Sequence, residues 1–290
     1  MKSIRRAWQH TTPMKNIYKT QTINIGGKII SFDKPWVMGI VNLTPDSFYD
    51  GGHYFSCAAS LQRIAKIREE GADIIDLGAF SSRPGAHDVS IKEEIARLLP
   101  IIEKTKEIFP TLPISIDTFR AEVADKAIQA GADMINDISG GELDNRMYEV
   151  IAKHQVPYIM MHMRGTPKTM QNLTDYKDLI GEIALSFGKR IDKLRSMGIK
   201  DIILDPGFGF SKTLAQNYEL LDRINEFQYF NLPILAGISR KSMVYKKLHV
   251  QPEDALTGTI ALNTLLLYKG VQIIRVHDVK EAKQIINLLS

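Results

Sequence analysis

The chain has a single cysteine, Cys57, among 290 residues. One thiol excludes an internal disulfide framework and points to a reducing compartment, read here as the cytoplasm. No apolar run approaches the ~18 residues that cross a bilayer. The longest candidate, Ala261 to Tyr268, is short and carries Asn263 and Thr264. HExxH, CxxC and P-loop patterns are missing, and "GFGFSK" (Gly207 to Lys212) fails the GxGxxG test. Zinc-peptidase, dithiol and phosphate-loop chemistry therefore have no sequence support, and Cys57 has no evident partner base. An excess of one charge is lacking too. The formal net charge is +4, but residues 1–19 hold Lys2, Arg5, Arg6, Lys15 and Lys19 with no acid, leaving 32 basic against 33 acidic side chains in the rest. The body is thus no nucleic-acid binder. The tail, residues 1–19, has no apolar signal core and reads as a disordered basic end.

What is present is a rhythm. With 44% hydrophobic and 24% charged residues, the chain can bury a large core without staples. "TINIGGKIISF", Thr22 to Phe32, alternates apolar residues about Gly26-Gly27, the pattern of a β-hairpin. After Pro35, short apolar runs alternate with amphipathic ones. The strands read are Val37–Val41, Asp73–Leu77, Ile114–Asp117, Met134–Asp137, Tyr158–His162, Ile202–Asp205, Ile234–Ile238 and Ile273–Val276. The helices between them include Ser56–Glu70, Ser90–Ile108, Arg120–Ala130, Tyr176–Met197 and Pro252–Tyr268. Strands apolar throughout suit parallel pairing with both faces covered. "GADIID", "GADMIN" and "GIKDIILD" each begin with a helix-ending glycine. Eight such units predict an α/β fold of the (β/α)8 TIM-barrel kind, one domain over residues 20–290, with the hairpin plugging its bottom. An open doubly wound sheet would carry a glycine-rich turn after its first strand, where this chain has "NLTPDSF".

The strand ends are polar: Asn42, Asp76, Asp117, Asn136, His162 and Asp205, then Ser239-Arg240-Lys241, then Arg275 and His277. In a barrel these ends share one mouth, where active sites lie. Acids and an amide on one side suit the N–H groups of a heterocycle. Arginine, histidine and lysine on the other suit phosphate or diphosphate. Asp76 reads as a group that bonds the mouth backbone. His162 reads equally well as a core histidine or a ligand. Met160, Met161 and Met163 read as packing.

The ordered series "MGIVNLTPDSFYDGG", "SSRPGA", "ISIDTF", "INDISGG", "MMHMRGTPKTMQ", "DPGFGF", "GISRKS" and "RVHDV", from Met38 to Val279, resembles the dihydropteroate synthase family. The resemblance implies a folate-pathway transferase that joins (7,8-dihydropterin-6-yl)methyl diphosphate to 4-aminobenzoate, needs Mg2+, and is the target of sulfonamides. By position it implies contacts to the pterin diphosphate from Ser82, Asp117, Asn136, Asp205, Lys241, Arg275 and His277. It implies contacts to 4-aminobenzoate from Arg83, Pro84, Phe210 and Ser239, and a metal ligand in Asn42. Asp50, Arg83 and Lys241 take catalytic roles. The resemblance also implies small-molecule substrates, and it favours a homodimer seam over barrel packing for "GTIALNTLLL" (Gly258 to Leu267), whose residues alone fit either; charge and the short apolar runs predict no nucleic-acid or membrane partner. One departure is local: the family's glutamate, serine and threonine before "RPG" are Phe80-Ser81-Ser82 here. A pterin-dependent methyltransferase would share the acid–amide pocket without the Arg275/His277 anchor. A non-catalytic pterin-binding protein would not require the whole ring.

Overall fold

Gly26 and Gly27 take φ of +56° and +82°, the conformation of a two-residue turn that matches strand twist. They join β1 (Thr22–Ile25) to β2 (Lys28–Ser31) in an antiparallel hairpin, as the sequence predicts. The computed structural model describes residues 21–43, 57–80 and 89–289. The expected disordered tail at residues 1–19 lies outside them.

Eight parallel strands follow: β3 (Trp36–Asn42), β4 (Ile74–Gly78), β5 (Ile114–Asp117), β6 (Met134–Asp137), β7 (Tyr158–Met161), β8 (Ile202–Asp205), β9 (Leu235–Ala236) and β10 (Ile273–Val276). Their order is β8-β7-β6-β5-β4-β3-β10-β9. A parallel bridge between Leu204 and Ile234 joins β8 to the segment leading into β9 and closes the ring. The helices are α1 (Cys57–Glu69), α2 (Ile91–Ile108), α3 (Ala121–Gln129), α4 (Met147–His154), α5 (Leu179–Ser196), α6 (Leu214–Arg223), α7 (Ser242–Leu248), α8 (Leu256–Tyr268) and α9 (Val279–Leu289). This is the (β/α)8 barrel expected. None of the described helices is long and apolar enough to cross a membrane. Gly71, Gly131 and Gly198 end helices at φ between +81° and +110°, a region costly for side chains with a Cβ.

Most boundaries fall within one residue of the sequence reading, and three elements differ by more. The strand expected over Ile234–Ile238 is shorter: Leu235–Ala236 pairs with β10, Ile234 adds the single bridge to Leu204, and Gly237 and Ile238 are not in the strand. The helix expected from Tyr176 starts at Leu179, where the Asp178 side chain accepts from the Gly181 N–H and caps it. The one expected over Pro252–Tyr268 splits into a short 3-10 turn, Pro252–Asp254, and α8.

Strand periodicity explains the interior. Side chains two apart share a face. Met38, Ile74, Met134, Ile159, Ile203, Leu235 and Ile273 point into the barrel and pack in one layer with Ile23, Ile25 and Phe32 of the hairpin segment. The hairpin thus closes the bottom. The alternate residues, among them Val37, Ile75, Ile116, Ile135 and Leu204, face the helices in the main core.

Candidate active site

Two residues beyond that apolar layer, the same inward faces carry Ile40, Asp76, Asn136, Met161, Asp205, Gly237 and Arg275; Asp117 joins them from β5 at the level of Asn136. One step of strand period converts the barrel floor into a polar ring.

Arg275 organises it. Its Nε donates to Asp76 Oδ2 at 2.6 Å and its Nη2 to Asp117 Oδ2 at 2.7 Å. Asp76 also accepts from Asn136 Nδ2 at 3.0 Å. Asp76, read from sequence as a backbone partner, instead bonds two side chains of the ring. The reason is positional: its side chain points inward at the height of Arg275. Arg275, read as an anion anchor, is itself held between two acids. Gly237, with no side chain, leaves room beside it; a Cβ there would lie 3.6 Å from the Cβ of Arg275.

The other cation, Lys241, follows β9. Its Nζ donates to the Phe208 carbonyl at 2.7 Å and lies 4.7 Å from the centroid of the Phe210 ring. Asp205 Oδ1 accepts the Gly207 N–H at 2.8 Å. Ser239 Oγ accepts the His277 backbone N–H at 3.2 Å and lies 3.1 Å from His277 Nδ1. Ile138, Met161, Met163 and Met170 form an apolar wall, packed by Phe119 and Phe210.

Burial sets the charges. It raises the Asp117 carboxyl to about 7, with Arg275 opposing and Asp76, Glu94 and Asp137 assisting. It raises Asp205 too, against the pull of Lys241. It lowers Lys241 to about 8, against the attraction of Asp205. Arg275 loses solvation as well, but Asp76 and Asp117 outweigh this and hold it above its ordinary range.

The structure therefore brings together Asp117, Asn136, Asp205, Lys241 and Arg275, with Ser239, His277 and Phe210 at their rim. Asn42 ends β3 opposite Gly78 with its side chain exposed. Asp50, Ser82, Arg83 and Pro84 lie outside the described residues. His162 does not join the ring. It follows Met161, so strand alternation turns it away from the mouth, and it is buried beside Tyr176 and Phe187. Met160 likewise faces the helices, while Met161 and Met163 line the mouth. Phe80, where the family carries glutamate, meets Phe119 edge-on at 5.2 Å. The Arg120 guanidinium lies 5.2 Å from its ring and pairs with buried Glu94 at 2.7 Å. Sequence reasoning missed Lys212, which is buried under the loop after β8. The available signal was its place: a lysine directly behind "DPGFGFS".

A parallel barrel whose mouth sets acids and an amide against half-buried cations suits a polar heterocycle carrying an anion, and residues 38–277 match the family of pterin binding enzymes. A dihydropteroate synthase from Synechocystis is 46% identical over 272 residues, covering 92% of this chain and 94% of its own length. The Escherichia coli dihydropteroate synthase is 42% identical, with 88% and 90% covered. The crystal structure of Yersinia pestis dihydropteroate synthase with a sulfonamide drug superposes with a TM-score of 0.87 at 40% identity, covering 93% of this chain and 97% of that one. That of the Xanthomonas albilineans enzyme with 4-aminobenzoic acid gives 0.86 at 36% identity, covering 93% and 97%. The chain belongs to the dihydropteroate synthase family, transferases of folate biosynthesis.

Proposed function

We propose that the mouth binds (7,8-dihydropterin-6-yl)methyl diphosphate by its ring and its anion at once, and presents it to 4-aminobenzoate. The observation that carries this reading is the single layer in which Asp117, Asn136 and Asp205 stand with Arg275, close to Lys241. Asp117 and Asp205 accept pterin N–H groups, and Asn136 offers both an acceptor and a donor. Accepting these bonds stabilises positive charge as it develops on the dihydropterin and its exocyclic methylene. Lys241, held by the Phe208 carbonyl, sets the edge of the ring site. Arg275 and His277, with Ser82, take the diphosphate. The amine lone pair of 4-aminobenzoate forms the new C–N bond, the C–O bond breaks, and diphosphate leaves with its electron pair; the amine proton goes to solvent. No protein nucleophile is needed. Phe210, Ser239, Arg83 and Pro84 form the aminobenzoate side, where an aromatic wall excludes competing water. Asp50 and Arg83 complete the reacting site.

The donor set fits Mg2+, which keeps several waters and takes few protein oxygens alongside substrate phosphates. Asn42 offers one exposed amide oxygen at the mouth, and no group of three or more metal-ligating side chains occurs among the described residues. When bound, Mg2+ would neutralise the departing diphosphate. Exposed Leu265 and Tyr268 support α8 as the seam of a homodimer, and the single free thiol Cys57 supports a cytoplasmic enzyme. Residues 20–290 form one domain in this reading.

The test is diphosphate release with and without 4-aminobenzoate and Mg2+. Release that needs both, with 7,8-dihydropteroate as product, is expected. Methyl transfer, or binding without product, would favour the two alternatives.

A further inference from the structure

Lys212 closes the glycine-aromatic loop after β8 and keeps only 5% of its surface exposed. Its ammonium donates to the Gly207 carbonyl at 3.0 Å and the Phe210 carbonyl at 3.1 Å, and stands 3.3 Å from His162 Nδ1. Three acceptors meet three donors, which is what an ammonium removed from water requires. His162 can supply a bare nitrogen because burial, with Lys212, Arg190 and Arg164 nearby, holds it well below the ordinary histidine range.

The loop so tied is the one that Lys241 leans on. Phe208 gives Lys241 its carbonyl, and Phe210 gives it a ring face. The backbone there has little other freedom. Gly207 sits at φ +74° with its α-carbon so close to His162 that an added Cβ would lie 2.1 Å from the His162 carbonyl oxygen. The Gly209 N–H donates to buried Asn217 at 2.7 Å.

We propose that Lys212 is a positioning residue for the reaction: by tying both ends of the Gly207–Phe210 turn to His162, it fixes where the Phe210 ring stands beside Lys241, and so shapes the aminobenzoate side of the mouth. This rests on the function proposed above. With its three donors engaged beneath the turn, Lys212 acts through the loop. Burial lowers it to about 7, with Asp205 opposing and Lys241 and Arg164 assisting. Loss of its third proton leaves one of the three acceptors unmet.

The experiment is Lys212→Met in the full chain, alone and with Phe210→Ala. The KM for 4-aminobenzoate should rise at least ~10-fold, while calorimetric affinity for the pterin diphosphate stays within about threefold. In the Phe210→Ala background the same change should add little, because both act through one ring. Unchanged KM, equal losses for both substrates, or additive effects with Phe210→Ala overturn the proposal. Should Lys212→Met not fold, His162→Leu removes one acceptor of the same knot. It should raise the same KM selectively, and an unselective loss overturns the proposal there. Wild-type enzyme run alongside separates the two readings. No product from wild type defeats the proposed function, whereas a normal wild type with an unaffected variant defeats only the role of Lys212.

Discussion

Arg275 and Asp76 tie the barrel mouth together, Nε to Oδ2 at 2.6 Å, with the Asp76 side chain fully buried. The same guanidinium holds Asp117. Removing one partner of such a pair leaves a buried charge unmet, whereas replacing both with apolar groups is often tolerated. Arg275→Ala should therefore cost about 3–5 kcal/mol of stability and weaken the diphosphate substrate more than a phosphate-free dihydropterin. Arg275→Met with Asp76→Leu should recover only part of the stability, because Asp117 and Asn136 still lose a partner, and none of the diphosphate preference. Denaturant unfolding and calorimetry with both ligands check this. Equal loss for both ligands would make Arg275 a purely structural residue.

Asp117 gives the site a pH dependence. Folding raises its carboxyl to about 7, against about 4 in the unfolded chain. Between those values the folded state binds more protons, so stability falls as pH rises through the window, and the cost is fully present above it. A pterin N–H prefers the carboxylate, so affinity should climb as pH passes about 7, by up to about tenfold per unit below it. In Asp117→Asn both slopes should flatten. Measuring unfolding and phosphate-free dihydropterin affinity at about pH 5 and about pH 8 tests the assignment; parallel curves for wild type and variant would contradict it.

The floor is separable from the chemistry. Phe32 is fully buried, meets Trp36 edge-on at 5.5 Å and packs against the lowest barrel layer. Phe32→Ala should cost about 3–5 kcal/mol and lower the melting temperature, while KM values measured well below that temperature stay near wild type. A large KM change in a folded variant would show that the floor reaches the substrates.

Much of this was legible in the residues, for identifiable reasons. Four strands, including Ile114–Asp117 and Ile202–Asp205, match the sequence reading end to end, because strands buried on both faces stand out against amphipathic helices. The hairpin was legible in Gly26-Gly27. The polar ring was legible as strand ends, but its membership depends on parity, which a list of ends does not carry. His162 follows an inward methionine and turns away, whereas Asp76 faces in and binds Arg275. Short α4 and α7, Met147–His154 and Ser242–Leu248, offered too few turns for a periodic signal. Lys212 was hidden because a lysine in sequence reads as a solvated charge until its three acceptors are seen together. Phe80 looked like a lost charge; in space it meets Phe119 edge-on and lies beside the Arg120 guanidinium.

Asp205 bears most directly on the claim that the layer above the barrel floor is the pterin site. Its carboxylate is buried, held by the Gly207 N–H and drawn by Lys241. An amide of the same shape keeps the packing but presents a donor to a ring N–H. Calorimetry of dihydropterin diphosphate binding to Asp205→Asn, with folding checked by its melting temperature, is the decisive measurement. A loss of about ten- to hundredfold with the fold intact is expected, the worth of one charge-assisted bond of roughly 1.5–3 kcal/mol. Wild-type affinity in the folded variant would contradict the assignment of the ring as the pterin site.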